Sequence, residues 1–154
     1  MSTIGAAAAA SLSSPLMASN DVTTNDRYQR GWEKLKEVDG EAGEKVVAYL
    51  KDIAPDLGRY VIEFPFGDVY SRGILSLKER EIATIAALAA LGNAQPQLKV
   101  HIHGALNVGC SRREVVEVFI QMAVYAGFPA ALNATLAAKE VFQERDLKGI
   151  KDQA

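Results

Sequence analysis

The chain has 154 residues, a formal charge of −2 and a single cysteine, which suits one domain burying roughly 70% of its unfolded surface. Its lysines and arginines are scattered, with no basic stripe or aromatic–basic interleaving, which excludes a nucleic-acid-binding reading. The lone thiol, Cys110, excludes an intramolecular disulfide and any Cys-x-x-Cys motif and points to a reducing, cytoplasmic compartment, while the lack of an 18-residue apolar run excludes a membrane helix.

Residues 1–26 are small and polar, with an alanine run at Ala6 to Ala10 and no positive charge before Arg27. This composition is expected to give a flexible arm, because it cannot build a core and lacks the basic start and strong apolar stretch of an export signal. A helical domain over 27–146 and a tail over 147–154 complete the expected organisation. Within that domain, 28–38 reads as a polar helix ending near Gly40. Residues 41–53 read as an amphipathic one, with Val46, Val47, Leu50 and Ile53 at helical spacing before Pro55. A short helix is expected over 55–63, then a breaker-rich turn over 64–68, its Phe64 and Phe66 anchoring it to the core.

From there the start and stop signals are explicit. Ser76-Leu77-Lys78-Glu79 and Ser111-Arg112-Arg113-Glu114 are capping boxes, in which serine and glutamate reciprocally satisfy backbone donors at a helix start. They open helices over 77–91 and 115–125. A third helix over 95–108 ends at Gly109, and a last one begins near Pro129, carries Leu132, Leu136 and Val141, and closes near Arg145. No alternating strand pattern is present, so the fold class is all-α, with short links that imply antiparallel neighbours. The helix over 77–91 has no charge after Glu81 and is rich in alanine, so it is expected to be widely surrounded by protein, which hints at an oligomer.

The two histidines, His101 and His103, lie on the helix over 95–108. Residues two apart on a helix diverge by roughly 200°, so the pair cannot serve one site. His101 is spaced with Leu98, Ala105 and Val108 and is expected to face inward; His103 is spaced with Lys99 and Asn107 and is expected to face water. On the preceding helix Glu81 falls between Leu77, Leu88 and Ile85, a carboxylate in an apolar sector. Burial disfavours its charged form unless a partner opposes that cost, and His101 is the natural partner. Such a pair either satisfies itself structurally or acts as a proton relay. Arg72 and Arg80 are candidate forks for a substrate carboxylate, and Tyr70 and Trp32 are candidate pocket walls. Cys110 is read as a small buried apolar residue. A stripe of Glu114, Glu117, Gln121 and Tyr125 reads as solvated or structural. Two divergent histidines and one cysteine do not make a zinc site; nucleophile elbow, P-loop and dinucleotide motifs are absent, and neither metal nor cofactor is indicated.

The text GDVYSRGILSLKEREIATIAALAALGN, followed by LKVHIHGALNVGCSRREVVEVFIQMAVYAGFPAALNA, resembles the carboxymuconolactone decarboxylase family, which includes the alkylhydroperoxidase-D-like proteins. The resemblance implies an alkylhydroperoxidase-D-like helical bundle that forms homotrimers or hexamers with active sites near subunit contacts. The family's redox branch carries a cysteine pair where this chain has Ala94 and Gln97, so Glu81 and His101 look like the remaining relay. The chain is similar to the decarboxylase branch in lacking those cysteines and in Gly67, Asp68, Tyr70 and Arg72. It departs from that branch at His103, where arginine is typical, and at Glu81, where the residue is typically small or neutral. The resemblance thus implies cofactor-free decarboxylation of a small carboxylated lactone or related ring acid from aromatic breakdown. Glu81 and His101 would be catalytic, and Arg72, Arg80 and Tyr70 would bind substrate. The alternatives are a residual peroxidase-like activity through Cys110 and a non-catalytic oligomeric ligand-binding protein.

Overall fold

A computed structural model describes residues 24–153. The expected arm over 1–26 therefore lies outside the described residues up to position 23, and Thr24 already opens the first helix. The described chain is all-α, with no strand: α1 (Thr24–Val38), α2 (Gly40–Leu50), α3 (Pro55–Val61), a π-helical segment (Ile62–Tyr70), α4 (Leu77–Leu91), α5 (Gln95–Asn107), α6 (Arg112–Tyr125) and α7 (Phe128–Leu147). None of these helices is long and apolar enough to cross a membrane.

Helices α4 to α7 pack on one another around Ile85, Ile102, Leu106, Phe119 and Val141, each fully buried. Their ends form as the spacing predicts. Ser76 and Ser111 each accept a hydrogen bond from the backbone N–H of the glutamate three residues on, and each glutamate side chain accepts one from its serine's N–H. Gly92, Gly109 and Gly127 take positive φ, a region in which a side chain is strained. The inner face of α7 is not the leucine stripe. Ala131, Ala134, Ala137, Ala138 and Val141 are buried, whereas Leu132 and Leu136 are exposed. Small residues let α7 approach its neighbours closely and leave the larger ones outside. Similarly, the wide burial expected of α4 is not seen within one chain: Glu81, Ile85 and Ala89 are buried while Ala83, Ala87 and Ala90 are exposed.

The N-terminal layer is built differently. Its core is four buried residues, Leu35, Val38, Ile62 and Phe66, flanked by Tyr28, Trp32, Val47 and Tyr70. The stretch over 64–68, expected to be a turn, continues α3 as a π-helix with Pro65 inside it. In an α-helix the proline ring would strike the carbonyl four residues back; the wider π turn relieves that clash. Only Phe66 anchors the segment, since Phe64 is exposed. Gly67 serves close approach rather than turning. A Cβ there would lie 2.8 Å from the Arg27 carbonyl oxygen, and one at Gly31 would lie 2.1 Å from that of Ile62, so α1 crosses the π segment backbone against backbone. Arg27 and Arg30 then clamp Asp68 across the crossing.

Candidate active site

The site lies where the N-terminal layer meets α4 and α5. Glu81 sits in the second turn of α4 and is wholly buried, and His101, midway along α5, presents Nδ1 to it at 3.3 Å from Oε1 and 3.2 Å from Oε2. The pairing expected from the two apolar helix faces is thus formed. Tyr70, the last residue of the π segment, reaches in from the other layer; its hydroxyl donates to Glu81 Oε1 at 2.7 Å and shares a 2.8 Å hydrogen bond with Thr84 Oγ1, one helical turn after Glu81. The capping box fixes where α4 begins and hence which turn carries the carboxylate. The π segment aims the tyrosine at it.

A third group completes the cluster. Asp39 sits between α1 and α2 and is buried, and its Oδ1 lies 3.7 Å from His101 Nδ1 with no hydrogen-bond partner among the described residues. Its position is set by Asn107 of α5, whose Nδ2 donates to the Val38 carbonyl at 3.0 Å. Gly104 makes room for both acids: a Cβ there would meet Asp39 Oδ1 at 2.6 Å and Glu81 Oε2 at 3.0 Å. Burial lifts the Asp39 carboxyl to about 7, with the His101 side pulling down and Glu81 pushing further up. Burial pulls the His101 imidazole down, yet the hydrogen bond and charge of Glu81, joined by Asp39, outweigh it and leave His101 raised. Burial, with the neighbouring Glu81 charge, likewise raises the Tyr70 phenol, which stays a donor.

His101, Asp39 and Tyr70 line a cavity of about 570 Å³ whose other walls are mainly apolar, including Leu35, Val61 and Phe66. Its size fits a small ring acid. His103 does not share it. It lines an adjoining concavity of about 510 Å³ with Lys45, Lys99 and Arg145, which shares Asp39, Val46, Tyr49 and Val100 with the first, so the two histidines line different concavities, as their helical divergence requires. His103 is not turned to open water, however. Its side chain is only 16% exposed and lies between Glu144 and the buried Arg145, whose guanidinium is held by Asp152 and Asn107. Helix α7 covers the face of α5 that its lysine and asparagine spacing marked as polar.

Neither arginine lines the large cavity. Arg72 is exposed, while Arg80 lies with its guanidinium over the Tyr70 ring, donates from Nη2 to the Arg72 carbonyl, and has a buried Nε without a partner among the described residues. Trp32 stacks on Tyr28 in the N-terminal core. Cys110 is fully buried and burial pushes its thiol up to about 11. Sequence reasoning missed Asp39, which reads as the end of a polar helix. The available signal was its place between the inward Val38 and the helix-breaking Gly40.

An all-α chain with a buried Glu–His pair opening on an apolar cavity is the class that fold and site define. Residues 55–140 match the model of the Carboxymuconolactone decarboxylase family, and the chain belongs to that family. It is 34% identical over 119 residues to 4-carboxymuconolactone decarboxylase of Acinetobacter baylyi, covering 77% of this chain and 88% of that one. It is 28% identical over 135 residues to nitrosuccinic acid decarboxylase npaB of Metarhizium robertsii, covering 86% and 92%. Peroxisomal protein 2 of Saccharomyces cerevisiae is 32% identical over 103 residues, 64% of this chain and 36% of the yeast protein. The comparisons support a decarboxylase-like function.

Proposed function

We propose that the protein is a lyase that decarboxylates a small carboxylated lactone or a related acid able to hold the electron pair left by carbon dioxide. The observation that carries this reading is the Glu81–His101 pair, buried at Glu81 and open to the apolar cavity at His101. Two of the relatives are named as decarboxylases of 4-carboxymuconolactone and of nitrosuccinic acid. The two substrates have one chemical feature in common: an electron sink, a conjugated lactone carbonyl or a nitro group, that accepts charge from the breaking C–C bond. The protein then has to orient the acid and deliver a proton to carbon. His101 delivers it, Glu81 holds the imidazole through Nδ1, and Tyr70 fixes the carboxylate that does so. Arg80 and Arg72 are the proposed forks for the substrate carboxylate, although both stand outside the cavity lining of one chain, Arg80 over the Tyr70 ring and Arg72 exposed.

The reading includes assembly into a homotrimer or hexamer with an alkylhydroperoxidase-D-like architecture. It is supported by the exposed apolar side chains Ile120, Val124, Tyr125, Phe128, Leu132 and Leu136 on the neighbouring helices α6 and α7, since exposed apolar patches mark interaction faces. Carbon dioxide release from 4-carboxymuconolactone and from nitrosuccinate tests the activity. Turnover of at least one is expected, falling by about 10² to 10⁴-fold in His101→Ala, the usual range for loss of a general acid. Equal turnover in the variant, or none by the wild type on either acid, would contradict the reading.

A further inference from the structure

Asp39, Glu81 and His101 bring one nitrogen and two carboxylate oxygens within 4.8 Å of one another, the one such cluster among the described residues. We infer that this cluster is a binding site for a divalent transition-metal ion, held by His101 Nδ1, Glu81 Oε2 and Asp39 Oδ1. Three features of the site carry the inference. The first is Asp39 Oδ1 itself, an oxygen on a side chain only 4% exposed, aimed at His101 Nδ1 and without a hydrogen-bond partner among the described residues. A buried acceptor left in that state is costly, and a cation between the three donors removes the cost.

The second is spacing. An ion bound at about 2.0 to 2.2 Å by nitrogen and oxygen ligands sets those ligands about 3 to 4 Å apart. Nδ1 stands 3.2 Å from Glu81 Oε2 and 3.7 Å from Asp39 Oδ1. Gly104 keeps the space between the acids clear, because any side chain there would strike both.

The third is support for the ligands. Glu81 Oε1 is held by the Tyr70 hydroxyl, which is bridged to Thr84, while Oε2 has no hydrogen-bond partner other than the imidazole among the described residues. Outer hydrogen bonds of this kind orient ligating carboxylates in metal sites. One imidazole and two carboxylates suit Mn²⁺, Fe²⁺, Co²⁺ or Zn²⁺ rather than a thiolate-seeking ion. Because Asp39 and His101 also line the large cavity, an ion held by them has a side from which a small anionic ligand can reach it. Ion and proton exclude each other at Nδ1. The site therefore has two forms, and the ion-bound form exists whether or not the lyase reading holds.

Titration of the chelator-treated full chain with Co²⁺, followed by visible absorption without substrate, tests this directly, with Zn²⁺ and Mn²⁺ competition as a second arm. One equivalent per chain is expected, with binding weakened at least tenfold in Asp39→Asn and in His101→Gln. The His103→Ala variant, which removes the other imidazole, is expected to bind as the wild type does. Circular dichroism confirms that each variant is folded, and the isosteric Asp39→Asn keeps the test decisive if His101→Gln is not. No binding at millimolar Co²⁺, binding unchanged in Asp39→Asn, or binding lost in His103→Ala would overturn the assignment. None of these results depends on decarboxylation, so failure here and failure of the lyase reading are separately visible.

Discussion

The four C-terminal helices and the N-terminal layer achieve stability by different means. Thirteen buried residues make one continuous core among α4 to α7, and each helix start there is fixed by a capping box or an early proline. The N-terminal layer has a core of four and depends instead on two glycines that let α1 and the π segment touch through their backbones. The site takes Glu81 and His101 from the first region and Asp39 and Tyr70 from the second. Its ionisable pair is thus held by the stiffer half, and the groups that complete it come from the half more easily displaced.

Truncation in the larger core separates the two most strongly. Phe119→Ala is expected to cost about 3 to 5 kcal/mol and to lower the thermal midpoint of the whole chain, because it opens a cavity in the continuous core. Leu35→Ala in the smaller core is expected to lie near the lower end of the 2 to 5 kcal/mol typical of such a change. Its loss should appear first as faster amide exchange in α1 to α3. Uniform exchange across all helices in Leu35→Ala would show that the halves are one cooperative unit.

Gly31→Ala comes next. The added methyl would lie 2.1 Å from a carbonyl oxygen, so α1 must move, and overpacking of this kind costs about 1 to 3 kcal/mol. Urea denaturation is expected to show that loss, and an unchanged midpoint would mean that the crossing is not tight. Ser76→Ala, which removes the α4 cap, is expected to cost only about 1 kcal/mol by the same measurement.

The smallest effect is a pH dependence. The Lys78 hydrogen bond, then the Ser111 backbone and side chain, hold Glu114 down from 4.5 to about 2. A carboxylate lowered on folding adds stability above its unfolded value and loses it as pH falls toward the folded one. The wild type is therefore expected to outlast Glu114→Gln slightly near neutrality, with the gap in melting temperature closing between pH 4.5 and about 2. A gap constant across that window would remove Glu114 from the link between α4 and α6.

The same contrast explains what the sequence reveals. Helices α4 to α7 are legible because local chemistry marks their ends, and Glu81 and His101 are legible because helical spacing alone places each on an apolar face. The π segment is not legible. Pro65 and Gly67 both read as breakers, and only the crossing with α1 shows that one is absorbed by a wider turn and the other permits contact. Asp39 is hidden for a related reason, since its burial comes from α5 docking onto the end of α1 rather than from its own neighbours. His103 reads as solvent-facing from its spacing because the cover supplied by α7 is likewise a tertiary effect.

Glu81 and His101 are proposed to act as one unit. Turnover of the substrate the wild type decarboxylates, compared across His101→Ala, Glu81→Gln and the double variant, tests it most directly. Groups that act together are not additive. The double variant is expected to be no slower than His101→Ala alone, whereas losses that multiply would show two independent residues and contradict a shared relay.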